Sequence, residues 1–227
     1  MSKLLTRPET IGVVFAILAY LCFSLLDTIQ KTLIIYYSVF QILFIKYFFT
    51  FLLSIIESKR KKNFKFYLTY NWRLQLLRSL LSLLESGCFI LAFRYLSLAD
   101  AHSIGALTPI VVVVFSFIFL KEEISLKIWI AVFLGFIGVL IVMRPGLSVF
   151  NPMSIIPLTG AFFLGLYQIV TRKVSANDKN ETSLFYSGVT GIFLMGFISF
   201  FFWKHISAGF MILFVGVGAF YSLGLYF

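Results

Sequence analysis

Asp27, Lys46, Arg78 and Glu85 lie inside long apolar runs of this 227-residue chain. An ionised group at the centre of a bilayer costs ~2.5–3.5 kcal/mol on insertion scales, so those that remain face protein or water and commonly act on a solute. Glu85 is the most informative of them, because it sits too deep for so short a side chain to snorkel to water. It has to be protonated, paired with a cation, or open to a water-filled cavity. Lys46 lies at similar depth in the preceding run and is its expected partner. A Lys46–Glu85 bridge that only locks two helices together is the competing reading.

The spacing groups these residues on helix faces. Tyr20, Ser24, Asp27 and Lys31 follow a 4-3-4 pattern, which places them on one side of a helix. Lys46, Thr50 and Glu57 share a face of the next run. Gln75, Arg78, Ser82 and Glu85 recur at 3-4-3 and draw a polar stripe down a Leu-rich helix. His102, Ala106, Pro109, Val113 and Ser116 form a fourth face, with a proline in its interior. Such a proline is tolerated where neighbouring helices or water satisfy the freed carbonyl, which hints at a protein-lined cavity. Arg78 is about one and a half turns from the start of its run, within snorkelling reach, so anchoring and cavity lining both stand. Asp27 and Lys31, one turn apart, are expected to neutralise each other. Tyr167 and Gln168, and further on Ser183, Tyr186, Ser187 and Thr190, supply hydroxyl and amide groups. Helix packing is the expected use of most of them.

The elements that position these groups are membrane helices. The chain is 60% hydrophobic and 12% charged, with a mean hydropathy of +0.99, a composition that excludes a water-soluble globular fold. Eight spans are predicted, at about 11–33, 38–57, 73–97, 101–120, 127–144, 152–172, 182–203 and 208–227, each near the ~20 residues that cross a bilayer. A shallow or split helix is the alternative over 73–97, because that span carries four charges. The net charge of +10 is spread between apolar segments rather than gathered on one basic face, which argues for a lipid bilayer and against nucleic acid as partner. With the amino terminus inside, Lys3, Arg7, Lys59, Arg60, Lys61, Lys62, Lys65, Lys121, Lys127, Arg172, Lys173 and Lys179 fall on the inner side, and Lys31, Arg144 and Lys204 on the outer. That imbalance predicts a multi-pass protein of the inner (plasma) membrane with a cytoplasmic amino terminus.

Several chemistries lack their motifs. Cys22 and Cys88 sit in apolar runs without metal-ligand spacing, so neither a disulfide nor a metal is expected. There is no phosphate-cradling G-x-x-x-x-G-K-[ST] and no H-E-x-x-H, and the chain has two histidines in all. No cofactor and no enzymatic activity are expected. A shift of 142 positions lays Ala19-Tyr20 on Ala161-Phe162 and Gln30-Lys31 on Arg172-Lys173. Five spans separate the copies, so they enter the membrane from opposite sides, as in the inverted repeats of secondary transporters. Gly135 and Gly138 in the fifth span, and Gly188 and Gly191 in the seventh, are expected to allow close helix approach.

The order Tyr95-Leu-Ser-Leu-Ala-Asp, Leu107-Thr108-Pro109, Leu120-Lys121-Glu122-Glu123-Ile124-Ser125, Trp129, Gly135-Phe-Ile-Gly138-Val and Arg144-Pro145 resembles the EamA branch of the drug/metabolite transporter superfamily. The resemblance implies an all-α polytopic bundle of two inverted five-helix repeats around a central cavity lined by helices 1–4 and 6–9. About eight of the expected ten spans are present: residues 1–146 form the first repeat, helices 1–5, and residues 147–227 an incomplete second, helices 6–8. It implies that Lys46 stands where the family usually has an arginine, and that Pro109 lies on the cavity wall. Asp27-x-x-x-Lys31, Lys46-Tyr-Phe-Phe and Leu184-Phe-Tyr-Ser look like the S-adenosylmethionine uptake branch. The expected activity is secondary transport of a small organic metabolite, amino-acid- or nucleoside-like, by alternating access. Its substrate-binding set is Lys46, Glu85, Pro109, Asp27, Arg78, Tyr167 and Gln168. A homodimer is compatible with this reading. The alternative is a truncated, transport-inactive bundle with a structural or assembly role.

Overall fold

The computed structural model describes residues 8–121, 123–143 and 152–226. It is a bundle of antiparallel helices: α1 (Pro8–Tyr36), α2 (Val39–Arg60), α3 (Trp72–Tyr95), α4 (Leu98–Gly105), α5 (Thr108–Phe115), α6 (Leu126–Met143), α7 (Ile155–Val174), α8 (Asn180–Phe201) and α9 (Ala208–Tyr226). Among the described residues, seven helical segments are long and apolar enough to span a membrane, with α6 contributing a shorter apolar stretch, Leu126–Gly138. The 73–97 stretch forms one continuous helix despite its charges. Lys3, Arg7, Glu122, Arg144 and Pro145, and the repeat boundary at 146/147, lie outside the described residues.

The helix ends follow local chemistry. Ser38 caps α2 by accepting the Gln41 N–H at 3.2 Å, and Asn71 caps α3 by accepting those of Arg73 and Leu74. At the other end of α2, Lys62 turns to φ 51°. There the Lys62 N–H reaches Lys59 O and the Asn63 N–H reaches Ser58 O, a pair of bonds that satisfies carbonyls left open by the last turn.

The helices pack in pairs with a symmetric pattern of contacts. α2 lies most extensively against α8, α3 against α7, and α1 against α9. Exchanging α1, α2 and α3 with α7, α8 and α9 maps the α3–α7 contact onto α9–α1 and returns α2–α8 to itself. Gly188 and Gly191 of α8 make that central crossing possible. A Cβ on Gly188 would stand 2.7 Å from the Phe51 Cα, and one on Gly191 would overlap the Tyr47 ring. Gly135 and Gly138 of α6 meet nothing within 4 Å among the described residues, so the close approach expected of them is absent there.

Polar side chains are buried inside the bundle while large apolar ones face outward. Gln41, Thr50, Ser54 and Gln75 are buried, whereas Phe133, Phe193, Phe197 and Phe200 are exposed. A bilayer offers no hydrophobic drive to hide phenylalanine, while polar groups have to find partners inside.

The fourth span differs from the expected single helix. It breaks after Gly105, resumes at Thr108 and ends in a π-helical turn, Ser116–Leu120. Pro109 therefore sits in the first turn of α5, where its missing N–H costs no helical bond. The Thr108 hydroxyl donates to Gly105 O at 2.7 Å and occupies the carbonyl that a residue with an N–H at position 109 would have reached.

Candidate functional site

The polar stripe of α3 becomes a column through the bundle, because its serines and its charged groups find partners on four other helices. Near the middle of α3, the Ser86 hydroxyl accepts from Lys46 Nζ at 2.8 Å and donates to Glu85 Oε2 at 2.9 Å. Lys46 is buried and its ammonium stands 4.0 Å from the centroid of the Tyr221 ring, a cation–π contact strengthened by burial. One turn along, Ser82 shares a 3.1 Å hydrogen bond with the Tyr47 hydroxyl and lies beside that of Tyr221. No direct Lys46–Glu85 ion pair occurs among the described residues; Ser86 joins the two.

Arg78 lies two turns from Glu85 on the same helix and is also buried. Its Nη2 donates to Ser183 O at 2.6 Å and to Ser187 Oγ at 2.8 Å, its Nη1 to the Tyr167 hydroxyl at 2.9 Å, and its Nε to Gln75 Oε1 at 3.4 Å. The guanidinium carbon stands 5.4 Å from the centroid of the Tyr167 ring. Arg78 is thus held inside the bundle by α3, α7 and α8 rather than snorkelling outward. Ser183 and Ser187, expected mainly to pack helices, serve as its acceptors.

Gln75 links this cluster to the end of the bundle that carries the basic loops. Its amide donates to Asp178 Oδ2 at 2.8 Å and to Ser183 Oγ at 3.2 Å. Asp178, between α7 and α8, also accepts from the Thr69 hydroxyl and, at 2.9 Å, from the Tyr70 N–H. Burial alone would raise its carboxyl, but the donors from Thr69, Tyr70 and Gln75 hold it below the usual aspartate range. At the same end Lys61 bridges Glu57 and Glu181, at 3.2 Å each. Partial burial opposes the charge on Lys61, yet those two carboxylates raise its pKa overall.

The remaining candidates sit elsewhere. Asp27 pairs with His102 Nε2 at 3.1 Å, joining α1 to α4, and the imidazole stacks near Phe89 and Phe93. The expected Asp27–Lys31 neutralisation does not occur. Lys31 instead donates to Phe93 O at 3.0 Å and Leu96 O at 2.8 Å, where the open carbonyls at the end of α3 favour a cation. Pro109 is exposed on α5, which packs on α6 and α7, and it takes no part in the column's hydrogen bonds. Gln168 points outward, while its neighbour Tyr167 is half-buried and bound to Arg78. Tyr47, Ser86 and Tyr221 are site residues that the sequence reading missed. Tyr47 and Ser86 are each adjacent to a residue it selected, but nothing local marks Tyr221.

The comparisons with known proteins agree with this architecture. The model of the EamA-like transporter family matches residues 10–144. The chain is 27% identical over 135 residues to a riboflavin transporter of Vibrio cholerae, covering 59% of this chain and 43% of that protein. It is 23% identical over 185 residues to an S-adenosylmethionine uptake transporter of Rickettsia bellii, covering 81% of this chain and 62% of that protein. It is 26% identical over 112 residues to a pseudopaline exporter of Pseudomonas aeruginosa, covering 49% of this chain and 39% of that protein. The matched stretches thus span less than two thirds of each relative. A solved crystal structure shares the fold, with a TM-score of 0.61 at 14% identity, covering 91% of this chain and 78% of the other.

Proposed function

The chain belongs to the EamA-like transporter family, and from that premise we propose that it moves a small organic metabolite across the cytoplasmic membrane through the column between Glu85 and Arg78. The observation that carries this reading is the set of three buried or half-buried charges, Lys46, Arg78 and Glu85, gathered with three tyrosines inside an apolar bundle. Charges at that depth are costly, and a bundle that needed only stability would do better with apolar packing. The broken fourth span and the α1–α9, α3–α7 symmetry fit alternating access, in which one repeat rocks against the other around a fixed site. The Asp27–His102 pair ties the broken helix to α1, so Asp27 acts in this reading at the rim of the pathway. In this reading the amino terminus faces the cytoplasm, which the distribution of lysine and arginine supports.

The names of the relatives suggest the solutes to try first. Reconstituted vesicles would be loaded with the purified chain and offered labelled S-adenosylmethionine and riboflavin. Uptake above protein-free vesicles is expected for one of them, with at least about a tenfold loss in Glu85→Gln and Lys46→Gln. Equal rates in the parent and both variants would remove these residues from the site. No protein-dependent flux of either solute would overturn the substrate reading.

A further inference from the structure

The charges of the column do not cancel. Lys46 and Glu85 share the Ser86 hydroxyl and compensate one another, whereas every direct partner of Arg78 among the described residues is neutral. Asp178 stands one hydrogen bond further away, on the far side of Gln75, with its oxygens already taken by Thr69, Tyr70 and Gln75. The column therefore carries one buried positive charge in excess.

The hydrogen bonds of Arg78 define which of its donors are left for an anion. A guanidinium has five N–H groups in a fixed fork. Both on Nη2 are occupied, by Ser183 O and Ser187 Oγ, and the one on Nε faces Gln75. Nη1 spends one N–H on the Tyr167 hydroxyl, leaving its second N–H without a partner among the described residues. The Tyr167 hydroxyl, accepting from Arg78, keeps its own proton to donate. The two free donors, one N–H and one O–H, lie side by side, and Tyr167 is the less buried of the pair.

We propose that Arg78 and Tyr167 form the subsite for a carboxylate of the transported metabolite. This deepens the proposed function and rests on it. One carboxylate oxygen accepts from Arg78 Nη1 and the other from the Tyr167 hydroxyl, and the incoming single negative charge neutralises the column. A phosphate dianion would need a second free cation, and Lys46 is engaged with Glu85 through Ser86. A matched amide brings no charge and places a donor against donors, so it is rejected.

Binding can be read without flux. The purified chain in an uncharged detergent would be titrated with 3-phenylpropionate, 3-phenylpropionamide and inorganic phosphate while its thermal unfolding is followed. The acid is expected to stabilise at concentrations at least about tenfold below the amide and the phosphate. Tyr167→Phe keeps the ring and should cut the acid's preference by about threefold to tenfold, and Arg78→Gln should abolish it. Arg78→Lys, which keeps the charge, serves if the glutamine variant fails to fold and should retain part of the preference. Equal stabilisation by acid and amide, an acid preference unchanged in Tyr167→Phe, or phosphate acting as strongly as the acid would each overturn the subsite. Vesicle flux without acid preference would sink the subsite alone, while acid preference without flux would sink the transport reading alone.

Discussion

Lys46 and Arg78 are both buried cations of the same bundle, at 5% and 4% exposure, yet Lys46 shares a serine with a carboxylate while Arg78 is held by neutral acceptors alone. The difference follows from their head groups. An ammonium is a compact, strongly hydrated point charge and loses more on leaving water, so it is placed beside Glu85 and over the Tyr221 ring. A guanidinium spreads its charge over a planar fork whose donors reach a carbonyl, two hydroxyls and an amide at once. The bundle can therefore hold an uncompensated arginine where it could not hold an uncompensated lysine.

The contrast can be broken first at Arg78. Arg78→Met leaves the Gln75 amide oxygen without its donor and removes the charged donors from Ser183 O, Ser187 and Tyr167, and is expected to cost about 3 kcal/mol, the scale of charge-assisted hydrogen bonds offset by relief of a buried charge. Unfolding in mixed detergent micelles measures it, and a loss well under half that size would show that the neutral cage is not structural. Lys46→Met removes one hydrogen bond and leaves Glu85 without compensation, for about 1–2 kcal/mol. Adding Glu85→Gln to Lys46→Met should return about 1 kcal/mol of that, because the two charges are coupled. A double-mutant cycle reading zero would mean that Ser86 joins them in geometry but not in energy.

Asp178→Asn tests the outer support of the Arg78 cluster, with an expected loss of about 1 kcal/mol near neutral pH. The sign with pH is fixed by the direction of its shift. A carboxyl held below its usual range stabilises the fold above that range, and the contribution fades as the pH falls through it, from about pH 4 downward. Comparing parent and Asp178→Asn across that interval should show the gap closing on acidification; a gap that widened would contradict the assignment. The smallest effect is reserved for a position remote from both cations. Lys62 holds φ 51°, so Lys62→Gly should raise stability by about 0.5–1 kcal/mol and leave the Lys46 and Arg78 responses unchanged.

Much of the architecture is legible in the sequence. The apolar runs mark the membrane spans, the 3-4-3 spacing of Gln75, Arg78, Ser82 and Glu85 puts them on one face of α3, and Gly188 with Gly191 marks a close crossing. The apolar run around Pro109 predicts one continuous helix with the proline inside it, whereas the proline stands in the first turn of a second helix. Whether Thr108 turns its hydroxyl back to Gly105 is settled by the local fold. Gln168 and Tyr167 are adjacent in sequence, and a rotation of one residue sends one outward and the other to Arg78.

Helical spacing alone puts charged and hydroxyl groups on particular helix faces within the membrane, because a helix repeats every ~3.6 residues whatever it packs against. Which of those groups meet depends on how the helices pack. Asp27 takes His102 instead of Lys31, and Ser86 joins Lys46 to Glu85. Arg78 takes Ser187, 109 positions away. Such partners lie on other helices, and their distance depends on crossing angle and depth, which no local spacing encodes.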